Sequence, residues 1–198
     1  MASPRKRARA FVSLALLTAA LSVGAIGRAH AGTFAVTVRT DAGIAAEADF
    51  LSGRTLTVAC AATRPQWGRT LAAVGLPAAE GDQYYGFSLI PEGAMHLSPY
   101  VCAGLRLGTT AAGRAANELQ VAWSVDVLLH ESTHMGRHTY DEALVEACAR
   151  AALPGELNRL YGVAYHSPEM RSLTLAAASL RSTQGRAYQG GSCPALGH

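Results

Sequence analysis

The chain is short of several things, and each shortage excludes a class of protein. It has no internal repeat, no coiled-coil heptads and no low-complexity linker, which removes solenoid and fibrous architectures. It has no C-x-x-C pair, so a zinc site built on cysteines is not expected. Past residue 31 no apolar run is long enough to span a membrane. Nor is there a basic surplus beyond that point. Five of the 17 Lys and Arg lie in residues 1–31 and none of the 14 Asp and Glu do. Residues 32–198 therefore carry twelve basic against fourteen acidic groups, a net −2, and charge does not mark a nucleic-acid binder.

The first 31 residues read as a secretory signal. Arg5, Lys6, Arg7 and Arg9 make a positive start, Phe11 to Gly27 an apolar run, and Ala29-His30-Ala31 a small-residue cleavage site before Gly32. No adjacent Arg pair supports a twin-arginine route, and no Cys follows the cut to carry a lipid anchor. The expectation is a secreted, extracellular protein with one domain over 32–198. Its four cysteines, Cys60, Cys102, Cys148 and Cys193, form an even set, which in an oxidising compartment predicts two disulfides with three possible pairings.

Thr33 to Thr40 alternates in polarity and reads as a strand, whereas residues 41–54 show little pattern. Leu56 to Ala62 is ambiguous between strand and short helix. Trp67 to Val74 reads as a short helix bounded by Pro65 and Gly75. Tyr84 to Leu97 predicts a hairpin about Pro91-Glu92-Gly93, with Ala94–Ser98 as an edge strand ending at Pro99. A helix is expected over Tyr100–Leu107 and a loop over Gly108–Gly113. Helical periodicity then runs from about Ala115 to Gly136, where the glycine marks a stop. A further helix is expected from Asp141 to Pro154, then two more over Gly155–Tyr161 and Ser167–Ser182, with a coil tail tied down by Cys193.

The chemistry is concentrated in His130-Glu131-Ser132-Thr133-His134. On a helix, residues four apart share a face, so His130 and His134 can aim two imidazoles at one metal ion. Glu131 projects beside them, placed to take a proton from a water that the metal activates. A hydrolytic zinc needs a third protein ligand. The metzincin pattern HExxHxxGxxH is not met: Tyr140 stands where its last histidine belongs, and the glycine, Gly136, is one place early. Glu142 and Glu146, one turn apart on the next helix, are the alternatives, with Asp141 behind them. Each has a plainer explanation. Glu142 completes a capping box begun by Thr139, and Glu146 can pair with Arg150 on the surface. Glu142 is favoured because its connection to His134 is short. His138 reads as a solvated loop residue and His96 as a surface or groove residue. Tyr140, Tyr161, Tyr165 and His166 are equal candidates to stabilise an oxyanion.

These residues resemble a zincin metallopeptidase of the minimal gluzincin kind over roughly Tyr84 to Pro154, and HESTHMGRHTYDEALVEACA is similar to exported actinobacterial HExxH proteins. The resemblance implies an α+β fold in which a small twisted sheet packs on the HExxH helix and a following helix brings the glutamate. It implies Zn2+ bound by His130, His134 and one glutamate of the DEALVE run, Glu131 as general base, and a peptide or protein substrate laid along an edge strand. The expected activity is zinc-dependent peptide-bond hydrolysis by a monomer, with neither nucleic acid nor membrane as partner. The alternatives are a non-catalytic secreted binding protein on the same scaffold and a zinc amidase acting on cell-wall peptides.

Overall fold

The computed structural model describes residues 38–78, 81, 83–183, 185, 188 and 191–194. The expected signal at 1–31 and most of the expected strand at 33–40 lie outside the described residues, and the described remainder of that strand, 38–40, is turn. Seven helices and three short strands follow: α1 (Asp41–Ser52), β1 (Thr57–Cys60), α2 (Arg64–Ala73), β2 (Gly86–Leu89), β3 (Ala94–Leu97), α3 (Pro99–Leu107), α4 (Ala111–Ala116), α5 (Glu118–Arg137), α6 (Glu142–Tyr161) and α7 (Pro168–Arg181). The fold is α+β.

The long helix α5 is the axis. It packs against α1, α3, α4, α6, α7 and β2, and nearly every side chain from Val121 to Met135 is buried. A helix covered on all sides can afford no polar face, which is why VAWSVDVLL is almost continuously apolar. Val121, Val125 and Leu128 meet Met95 and Leu97 of β3, Val101 and Leu105 of α3, and Leu157 of α6 in the main core. A smaller cluster gathers Trp67 and Leu71 of α2 with Phe87 of β2.

The three-stranded sheet has the order β1-β3-β2, with β1 parallel and β2 antiparallel to β3. The hairpin is therefore as expected, but β3 is the central strand and not an edge. The apolar segment at 56–62 supplies β1, which pairs with β3 on its far side and closes that edge. The exposed edge beside α5 belongs to β2. Ser98 N–H bonds to the Tyr85 carbonyl at 2.9 Å, so by alternation the backbone groups of Gly86 and Ser88 point away from β3.

Several helices differ from expectation, and α2 begins at Arg64 with Pro65 in its first turn rather than outside it. Most of residues 41–54 form α1, Asp41–Ser52, capped by the Thr40 hydroxyl, which accepts from Gly43 N–H at 3.1 Å. Its buried stripe is Ile44, Glu47, Ala48 and Ser52, with only one large apolar side chain, so hydrophobic periodicity was silent there. Residues 108–113 are not all loop, since α4 begins at Ala111. Gly136 does not stop α5. The helix ends at His138, which takes the left-handed conformation at φ 51°. Gly136 lies inside the helix because a Cβ there would come within 2.9 Å of the Ser52 carbonyl oxygen of α1. Finally, Pro154 does not divide α6 from a further helix: buried Leu153 and Leu157, on one face, carry it through to Tyr161.

Candidate metal centre

The HExxH segment occupies the last turns of α5, and a short connection turns the chain into the first turn of α6. Asp141 caps that helix, its carboxylate accepting from Leu144 N–H at 3.1 Å. The cap is thus Asp141 and not Thr139, and Glu142 is released from the capping-box role. Its carboxylate points back to α5 instead.

Three donor atoms converge. His130 Nε2 lies 3.0 Å from His134 Nε2 and 3.1 Å from Glu142 Oε2. The third side of the triangle, His134 Nε2 to Glu142 Oε2, is 3.4 Å. A tetrahedral ion with bonds of roughly 2.0–2.1 Å separates its ligands by about 3.3–3.4 Å. These three residues can therefore hold one metal ion with little adjustment. The chemistry of the set agrees, because imidazole nitrogens and a carboxylate oxygen crowd their lone pairs together comfortably only around a shared cation or proton.

The two histidines face different partners behind them. His134 donates its Nδ1–H to the Thr139 carbonyl at 2.7 Å, which leaves Nε2 as the acceptor. His130 turns Nδ1 toward Glu146 Oε2, 3.5 Å away. Glu146 makes the expected i, i+4 ion pair with Arg150, 3.6 Å from Nε, but from a carboxylate that is only 1% exposed. Its main partner is Arg181 at the end of α7, which also binds Asp126 of α5 and lies over the Trp123 ring. Position distinguishes the two glutamates: Glu142 lies in the donor triangle, and Glu146 stands behind His130. Burial alone would push the Glu142 carboxyl up, but the bonds from His130 and His134 outweigh it and hold it at about 2. For His134 burial works downward and is outweighed by Glu142, Glu131 and the Thr139 carbonyl, which leave it raised.

Glu131 is turned to the sheet side. Ser88 of β2 donates its hydroxyl to Glu131 Oε2 at 2.8 Å. Gly86, two residues earlier, has no side chain where a Cβ would come within 3.1 Å of Glu131 Cγ and of Val127. The β2 edge thus runs directly across the helix at Glu131. Beside it opens a cleft lined by Tyr84, Gly86, His130, Glu131, Arg181 and Tyr188, among others.

The remaining residues singled out in the sequence lie apart from this triangle or at its margin. His138 is exposed just past the end of α5, as expected of a solvated residue, and its Nε2 lies 2.7 Å from Arg54 Nη1. His96 is half-buried and stacked on Phe87. Tyr161 bonds the Leu105 carbonyl at 3.0 Å, Tyr165 is exposed, and His166 sits in a turn at φ 63°. Tyr140 is exposed, its ring centroid 6.5 Å from that of His134. Sequence reasoning passed over Ser88, Arg181 and Tyr188. For Ser88 and Arg181 no local pattern could have found them. For Tyr188 the one signal was Cys193 close behind it, which anchors the tail through the Cys148–Cys193 disulfide. Burial raises the Tyr188 hydroxyl, and the Glu142 and Glu131 carboxylates raise it further, so the phenol keeps its proton.

No family model, no curated protein and no solved structure matches this chain.

Proposed function

We propose that this protein is a secreted zinc-dependent metallopeptidase of the zincin type, close to the minimal gluzincins, in which His130, His134 and Glu142 hold Zn2+ and Glu131 is the general base. The observation that carries this reading is the donor triangle, three sides of 3.0, 3.1 and 3.4 Å closed by residues from two helices. Two imidazoles and a carboxylate are a set that hydrolytic zinc uses, and it leaves one coordination position for water or substrate. Bound there, zinc would polarise a carbonyl oxygen and lower the pKa of water.

The chain's own groups supply the rest. Glu131 takes the proton of the attacking water and passes it to the leaving amine. Ser88 fixes the carboxylate of Glu131 by its hydroxyl. Glu146 and the Thr139 carbonyl orient the two rings. An extended peptide adds to the open edge of β2, where the backbone groups of Gly86 and Ser88 are unpaired within the sheet. The central position of β3 rules out the pairing with Ala94–Ser98 that the sequence suggested.

The test is metal content and turnover together. Purified protein should bind one zinc, and His134→Ala should bind none. Glu131→Gln should keep the zinc and lose at least about 100-fold in kcat on a peptide library. Casein, peptides and peptidoglycan fragments assayed side by side separate a peptidase from a cell-wall amidase. Full turnover by Glu131→Gln would sink the mechanism, and stoichiometric zinc without cleavage of any substrate would point to a binding protein.

A further inference from the structure

Tyr188 is carried to the cleft by a segment held at two points. Before it, Arg181 is locked between Asp126 and Glu146, 8% exposed. After it, Cys193 is bonded to Cys148, six residues past Glu142 on α6. Between Tyr188 and Cys193 the backbone of Gly191 lies so close to the Ala143 carbonyl that a Cβ would overlap it. The chain therefore passes over the first turn of α6, immediately beside Glu142. The Tyr188 ring sits 5.9 Å from the His130 ring, centroid to centroid, tilted by 40°. It forms a wall of the cleft into which His130 and Glu131 also face.

We propose that Tyr188 is a catalytic residue of this centre, its hydroxyl donating a hydrogen bond to the substrate carbonyl oxygen as charge gathers there, and that the Cys148–Cys193 disulfide holds it in place. The proposal rests on the peptidase reading above. It assigns the oxyanion donor to the tail, and it gives the second disulfide a function apart from general stability. A phenol is suited to the work, because its O–H donates and an acceptor that gains negative charge strengthens the bond. The disulfide contributes pre-organisation, since a tail free to leave would have to be ordered in every turnover.

Four zinc-loaded proteins decide it: wild type, Tyr188→Phe, Cys148→Ser/Cys193→Ser, and the triple variant. Each is measured for zinc content, for kcat and KM on a fluorogenic peptide, and for calorimetric binding of a phosphinic peptide that mimics the tetrahedral state. Tyr188→Phe should lose roughly 100-fold in kcat with KM nearly unchanged and zinc retained. Its affinity for the phosphinic peptide should fall much further than its affinity for substrate. The cysteine pair variant should lose a similar factor, and the triple variant no more than either. Wild-type kcat and phosphinic-peptide affinity in Tyr188→Phe would overturn the proposal. So would full turnover in the cysteine pair variant, or losses that multiply in the triple variant. Should the cysteine pair variant fail to fold, Tyr188→Phe decides alone. A wild-type protein that binds zinc but neither cleaves the peptides nor binds the phosphinic peptide would remove the peptidase reading, and the role of Tyr188 with it.

Discussion

At the residue scale the two glutamates of α6 perform different work four residues apart, and substitution should separate them. Glu142→Gln removes the anionic donor from the triangle and should lower zinc affinity steeply, read by competition with a chelator. Glu146→Gln leaves the three ligands in place but weakens the hold on His130 Nδ1, and should cost about 10–100-fold in zinc affinity. Glu146→Gln also leaves Arg181 with only Asp126, so a loss of stability accompanies it. An Arg181→Met variant would strand both buried carboxylates, with an expected cost of about 3–5 kcal/mol in urea unfolding. These outcomes follow from burial. Glu146 keeps its i, i+4 pairing with Arg150 at 3.6 Å, but it does so from a carboxylate that is only 1% exposed.

At the scale of elements, the place where α1 meets α6 holds a second charged cluster, far along α6 from Glu142. Glu47 of α1 and Glu156 of α6, both buried, share the one guanidinium of Arg159. Burial pushes the Glu156 carboxyl up to about 8 and Arg159 down to about 10. The sign follows from linkage: a carboxyl with a folded pKa above its unfolded value binds its proton more tightly when folded. Its contribution to stability is greatest below about pH 4.5 and is lost as pH rises toward 8. Glu156→Gln should therefore stabilise the protein at pH 8–9 relative to wild type and flatten the pH dependence there, checked by denaturant unfolding across that range. The same scale explains Gly86. A Gly86→Val change would drive a side chain into Glu131 and Val127, and it should reduce both stability and turnover, by about 1–3 kcal/mol for the former.

For the whole molecule, the two disulfides divide the labour. Cys60–Cys102 ties the end of β1 to α3 across 42 residues, inside the main core. Replacing both cysteines by Ala should cost about 4 kcal/mol of unfolding free energy while leaving zinc binding intact. Zinc itself should stabilise by mass action, about 2.7 kcal/mol at a hundredfold excess over Kd, and a chelator should reverse this. The sequence by itself determined the HExxH helix, the helix that follows with its acidic residues, the hairpin, α2 and α3, and an even cysteine count. All of these are written in local spacing, where neighbours along the chain are also neighbours in space. It did not determine α1, whose buried stripe is small and polar, nor the true ends of α5 and α6, which packing against Ser52 and around Leu153 and Leu157 set. Only the tertiary structure decided that β3 lies inside the sheet and β2 at its edge, that Glu142 and not Glu146 reaches the histidines, and that Ser88, Arg181 and Tyr188 surround them. Those relations join residues 12 positions apart for His130 and Glu142, 43 for Ser88 and Glu131 and 55 for Asp126 and Arg181, and no periodicity connects them. They exist because burying α5 on every side forces α6, α7, the tail and the sheet edge to converge on its last turns.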